Sequence, residues 1–229
     1  MSCLKWLRFV ASGFAATLDM VLGIAIVHFS AYAWSCDLGF FHYALGVVLG
    51  VVPDFDIIHT MLAERKQSLV DHHDFLTHRP AVMVPIAALA GYVFGGQFWA
   101  FVFAGILFVH YLHDTRGLSG GGIAWLWPLD SRHIGVSRLG IIITEPREAS
   151  ALWPNHNAWL DNEYLTPSRR SLVELSFSSI LLSIVFWQAL GIYYAIAAVF
   201  IAWSLAGFLW SGYGLIRAFG EETEGFEAI

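Results

Sequence analysis

The sequence predicts an all-α membrane bundle of about six apolar segments, with a polar, metal-holding region on the cytoplasmic side. Three observations carry that expectation. Hydrophobic residues make up 57% of the 229-residue chain and the mean hydropathy is +0.62, above the ~45–50% apolar content of soluble domains. Charged residues are only 13% of the total. The apolar residues also gather into runs long enough to cross or enter a bilayer, divided by short polar stretches. The whole chain, 1–229, reads as one membrane domain, within which residues 115–170 form an interfacial or cytoplasmic loop region.

The first run, Phe9 to Trp34, is interrupted by Asp19. Lys5 and Arg8 ahead of it and Ala31-Tyr32-Ala33 near its end imitate a signal peptide, but the run exceeds the ~7–15-residue core of one, so a retained segment is expected. An alternative makes Leu4 to Thr17 an interfacial helix, with Trp6, Leu7, Val10 and Phe14 on its apolar face, and starts the span near Asp19. Phe40 to Val52 forms a second segment, ended by Pro53, which cannot continue a helical hydrogen-bond ladder. After the polar stretch, Pro80 suits a helix start. Ala81 to Phe94 and Phe98 to Leu112 then pair across the turn signal Gly95-Gly96-Gln97. Both are short of the ~20 residues a span needs, so the pair thins the bilayer or dips into it. Thr115 to Arg170 is too polar to span and is expected to lie at the membrane surface with Trp125 and Trp127 at the interface. Leu172 to Ala189 and Ile192 to Ile216 close the bundle, hinged at Gly191, with Glu174 in a first turn that favours a carboxylate.

Orientation follows from the basic residues. With Lys5 and Arg8 inside and the segments alternating, every other Lys and Arg falls on the same side, as the positive-inside rule requires. That alternation brings Asp54–His78, His110–Asp114 and Glu174 to one cytoplasmic face without reference to their chemistry. Net charge is −6 and there is no basic patch, which argues against a nucleic-acid partner. Cys3 and Cys36 stand at opposite ends of one run and form neither a disulfide framework nor a CxxC zinc site. The glycine run 117–122 lacks the lysine of a nucleotide-binding loop.

Three polar clusters stand out. Pro53-Asp54-Phe55-Asp56 sets two carboxylates in a turn stiffened by proline, suited to a divalent cation or to capping a helix. Asp71-His72-His73-Asp74-Phe75-Leu76-Thr77-His78 crowds three histidines and two aspartates into eight residues. His73 and His78 do not share a face of a straight helix, so the chain must turn between them. His110 and Asp114, four apart, do share one and can grip one ion. His113 points elsewhere, as an outer partner or an interfacial residue. His28 and His42 fall toward the opposite face, while His133, His156 and Glu163 remain open.

In order and spacing these motifs resemble the YdjM/YbcI-type family of bacterial inner-membrane proteins, read as metal-dependent hydrolases. Its PDxD, HRxxTH, HxxxD, glycine-rich and Trp-Pro elements correspond to residues 53–56, 73–78, 110–114, 120–122 and 127–128. Asp74 stands where the family carries arginine, Asp19 where it carries a histidine, and His59 comes three residues after PDxD instead of directly. The resemblance implies Asp54, Asp56, His73, His78, His110 and Asp114 as metal ligands. It also implies a remote likeness to the zinc-dependent phospholipase C and P1 nuclease group.

The leading expectation is a membrane-bound hydrolase with two or more divalent ions, zinc by its His/Asp ligands or manganese, acting on a phospholipid, a lipid-linked phosphate or a small-molecule phosphoester. Asp71, Asp74 or Glu174 would serve as general base or outer support. The same residues allow a divalent metal-ion transporter, for which Asp19 is the mid-span candidate, or a scaffold with a structural metal. Haem binding is disfavoured, because the histidines keep company with carboxylates. Oligomeric state is left open.

Overall fold

The computed structural model describes residues 3–55, 75–115, 122–137, 140–144 and 162–226. They fall in two compact units, Asp19–Pro154 in one and Met1–Leu18 with Asn155–Ile229 in the other. Among the described residues, four helical stretches are long and apolar enough to cross a membrane: Trp6–Trp34, Gln97–Thr115, Arg169–Ala189 and Ile192–Arg217. Phe40–Val51 and Pro80–Gly95 are shorter apolar helices.

The first run is two helices, α1 (Cys3–Ala15) and α2 (Thr17–Trp34). In the Asp19–Pro154 unit, α2 runs antiparallel to α3 (Phe40–Val51), Gly23 meeting Gly46 and Asp19 meeting Gly50. Lipid tails are as apolar as leucine, so helices in a bilayer gain little from hydrophobicity and associate through small residues that let backbones approach. Gly23, Gly46 and Gly50 provide this. A Cβ on Gly23 would strike the Gly46 carbonyl, and one on Gly50 would strike the carbonyl of Asp19.

Pro53 ends α3 and opens a 3-10 turn, Pro53–Phe55. A second such turn, Leu76–His78, leads to α4 (Pro80–Gly95), with proline in its first turn as expected. Gly96, at φ +83°, reverses the chain into α5 (Gln97–Thr115). Val27, Trp99, Val102 and Ile106 form one buried cluster, and Ala87, Leu107, Tyr111 and Ile123 another.

Beyond α5 the structure departs from an all-α reading. β1 (His133–Ser137) and β2 (Gly140–Thr144) form an antiparallel hairpin pairing Ile134 with Ile143 and Val136 with Ile141. Ile123 bridges to Ile134. Alternation this short, within a segment rich in glycine and arginine, carries little signal in the sequence.

In the other unit, Leu7 and Ala11 of α1 pack with Tyr164, Leu165 and Leu209. α6 (Arg169–Ala189) is capped by Ser168, whose hydroxyl accepts from the Ser171 amide. Because α6 starts at Arg169 and not Leu172, Glu174 sits in the second turn. Gly191, at φ +102°, separates it from α7 (Ile192–Phe226).

Candidate metal centre

Asp54, His78, His110 and Asp114 each turn one donor atom toward a common point, all four atoms lying within 4.8 Å of one another. They come from three places: the turn after α3, the turn before α4 and the last turns of α5. His110 Nε2 lies 3.0 Å from Asp114 Oδ2, the i,i+4 pair on α5, and 3.5 Å from Asp54 Oδ1. His78 Nε2 lies 3.6 Å from Asp54 Oδ1 and 3.5 Å from Asp114 Oδ2.

These separations test whether a cation fits. Zinc sits about 2.0–2.2 Å from imidazole nitrogens and carboxylate oxygens, so the edges of a tetrahedron around it are about 3.4 Å. Four of the six edges, those joining an imidazole to a carboxylate, lie at 3.0–3.6 Å and bracket that length. Both imidazoles are sealed, at 0% and 1% side-chain exposure, whereas Asp54 and Asp114 keep 20% and 14%. The Asp114 Oδ2 that faces both imidazoles is itself buried, so the exposure of the group lies on Asp54 and on the rest of Asp114.

The surrounding structure sets the donors. His110 Nδ1 donates to the Gly50 carbonyl at 2.9 Å; a carbonyl can only accept, so in the neutral ring the lone pair is on Nε2, facing the cluster. Tyr111, fully buried, donates its hydroxyl to the Thr77 carbonyl at 2.6 Å and thereby ties α5 to the turn carrying His78. Thr115 accepts from the Trp125 indole at 2.7 Å, fixing the following loop beside Asp114. For Asp54, burial alone would raise the carboxyl pKa, but the His110 and His78 imidazoles, 3.5 and 3.6 Å from its Oδ1, favour the carboxylate when they carry a proton and hold the pKa below the usual range. Asp54 is thus a carboxylate at any ordinary pH.

Behind His110 lies a feature the motifs did not define. Asp19, buried in α2, accepts from His113 Nδ1 at 3.0 Å and 3.1 Å, and its Oδ1 is 3.5 Å from His110 Nδ1. His113 is therefore an outer partner, one of the two roles its position suggested. The signal was available: a carboxylate inside an apolar helix, and a second histidine three residues along α5 from His110.

Asp56, Asp71, His72, His73 and Asp74 lie outside the described residues, as do His156, His59 and the glycines at 120 and 121. Glu174 belongs to the other unit, where it accepts from Arg170 Nε at 2.8 Å and from the Tyr164 hydroxyl at 2.6 Å. Burial pushes the Tyr164 hydroxyl pKa far up, so it stays a donor. His133 is buried on β1, outside the four-residue group. His28 bonds Tyr43, and His42 accepts from the Gly39 amide while stacking on Trp99.

With this geometry in hand, comparison with known families is informative. Residues 16–213 match the family described as YdjM inner membrane protein. The chain belongs to that family. The match takes in all four converging residues together with Asp19 and His113. No curated protein and no solved structure matches the chain, and the expected likeness to phospholipase C and P1 nuclease is not shown.

Proposed function

We propose that this YdjM-family protein is a multi-pass inner-membrane hydrolase that uses divalent metal to cleave a phosphoester, on a phospholipid or lipid-linked phosphate, at the cytoplasmic surface. The observation that carries the reading is the group of two imidazole nitrogens and two carboxylate oxygens within 4.8 Å of one another, with Asp54 its most exposed member. When bound there, a divalent cation supplies Lewis acidity, lowering the pKa of a water toward ~7 and stabilising charge on a phosphoryl group.

The chain's own part is to hold the donors. His110 presents the Nε2 lone pair set by its bond to Gly50 and His78 turns its Nε2 to the same point from the sealed side, and Asp54 and Asp114 balance the positive charge. Asp71 or Asp74 is proposed as the base that takes a proton from the attacking water. Zinc suits the His/Asp set and manganese is the alternative. With His73 and Asp56 added, the donors suffice for two or more ions.

The test is direct. Purified protein in lipid nanodiscs should carry zinc or manganese by elemental analysis and hydrolyse a chromogenic phosphodiester or fluorescent phospholipid. Chelation and His78→Ala should each abolish turnover. Protein free of metal, or turnover indifferent to chelation, sinks the proposal.

A second reading is favoured by the count of donors. Four protein ligands complete a tetrahedral zinc, as structural sites do, whereas catalytic sites keep a position open. A structural metal predicts tight stoichiometric binding, no turnover on any phosphoester and a fall in melting temperature on chelation.

A further inference from the structure

We propose that the loop after α5 and the β1–β2 hairpin form a lipid-docking platform, seated in the interfacial layer of the bilayer that surrounds α5. The hairpin is inside-out for a water-exposed element. His133 and Gly135 face inward and are buried, whereas Val136 is exposed. In the observed register Val136 pairs with Ile141 and Ile134 with Ile143, on the same outer face. Ile141 is 74% exposed and Ile143 56%. An antiparallel sheet with one face in water turns its apolar side to the core; here the polar imidazole takes the core and the branched aliphatics point out.

What covers that face is decided by continuity. α5 is one of the helices able to cross the membrane, and Phe108 and Leu112, one turn apart on it, are exposed. Phe108 meets Trp125 edge-to-face, with ring centroids 5.6 Å apart. Leu126 and Leu129 follow, the latter 92% exposed. The apolar strip of a membrane helix thus passes into the loop through an aromatic contact, and the Trp125–Thr115 hydrogen bond pins the loop there. Directly after Leu129 comes an exposed ion pair, Arg132 Nη2 to Asp130 Oδ2 at 2.6 Å. Apolar tips beside tryptophan and a paired arginine match the composition of a membrane–water interface. An isolated patch of this kind in water would be a liability; one continuous with the lipid face of α5 is covered by the same lipid. This placement rests on exposed surface alone and is independent of whether the metal centre hydrolyses anything.

The test places a photoreactive benzoylphenylalanine, one position at a time, at Leu129, Ile141 and Leu112 in the full chain reconstituted into phosphatidylethanolamine/phosphatidylglycerol vesicles. All three side chains are exposed, so the substitutions leave the packed core untouched. Lipid adducts detected by intact-mass measurement at Leu129 and Ile141, in yield comparable to Leu112, are the expected result. Chain–chain cross-links at Leu129 or Ile141 would overturn the proposal in favour of a second copy of the protein. Absence of lipid adducts there, with Leu112 labelled, would overturn it in favour of water. Metal-stripped protein should give the same pattern, which keeps this outcome separate from the fate of the hydrolase reading.

Discussion

His110 of α5 reaches the backbone of α3, its Nδ1 standing 2.9 Å from the Gly50 carbonyl oxygen. That bond fixes which ring nitrogen is left to face Asp54 and Asp114. Its acceptor is placed by a helix crossing, because Gly50 is where α3 meets the backbone of Asp19 in α2. The packing of two apolar helices and the orientation of a ligand are therefore one structural fact.

Gly50→Ala should separate them. The added Cβ would collide with the Asp19 carbonyl, forcing α3 away and carrying the acceptor from His110. Overpacking of this kind costs about 1–3 kcal/mol, and loss of an outer partner typically costs about 10–100-fold in metal affinity. Gly207→Ala, where a Cβ meets nothing within 4 Å, should leave both thermal stability and chelator-competition affinity unchanged.

Tyr111→Phe removes one hydroxyl and keeps the ring. The Thr77 carbonyl loses its 2.6 Å donor, at a cost of about 1 kcal/mol. The turn bearing His78 then loses that tie to α5. Metal affinity should fall while far-UV circular dichroism stays that of the parent; unchanged affinity would mean that the turn is held by other contacts.

How much of this was legible in the sequence depends on whether the signal was chemical or geometric. Asp54, His78, His110 and Asp114 could be nominated because each pairs a scarce residue type with a neighbouring apolar run. The orientation argument from basic residues placed them together on independent grounds. The seat of His110 was not legible. It depends on Gly46 and Gly50 meeting α2 at Gly23 and Asp19, and glycines in an apolar segment look alike until the partner helix is known. Asp19 was visible as an intruder in a span, but only the fold shows that it faces His113. The β hairpin was missed because its apolar residues point outward, so the alternation that marks a strand was indistinguishable from membrane-surface composition.

Asp19→Asn distinguishes an outer partner from a transport residue. Asn keeps the shape and one acceptor for His113 but removes the charge 3.5 Å from His110 Nδ1. If Asp19 supports the ligand, metal affinity should drop by about 10-fold or more, less than for His110→Ala. Zinc uptake into liposomes by the parent chain, abolished in this variant, would instead make the protein a transporter.

Acidification of the metal-free protein should report on Asp54. Its carboxyl pKa is lowered in the fold by His110 and His78 against the opposing effect of burial. The group therefore contributes stability that is full above its unfolded pKa, about 3.9, and is lost as pH falls toward the folded value. Asp54→Asn should melt below the parent at pH 7, and the gap should close as pH drops below about 4. A gap that persists in acid would show that the side chain matters for its shape and not for its charge.

Glu174 offers the sharpest contrast between a reacting carboxylate and a structural one. The sequence nominated it as a base or an outer support, but both its oxygens are engaged, one by Arg170 and the other by Tyr164. The Arg170 and Glu174 side chains are only 14% and 13% exposed. Removing one partner of a buried pair costs about 3–5 kcal/mol, because the remaining charge is left without compensation; the residual exposure here puts the expected loss at the lower end. Glu174→Gln should therefore lower the melting temperature by several degrees while the metal content per folded chain stays at the parent value. His78→Ala should do the reverse, losing metal with a smaller change in the apo-protein's stability. Should Glu174→Gln abolish phosphoester turnover in protein that melts like the parent, the carboxylate is a reacting group after all and its pairing with Arg170 must open during the cycle.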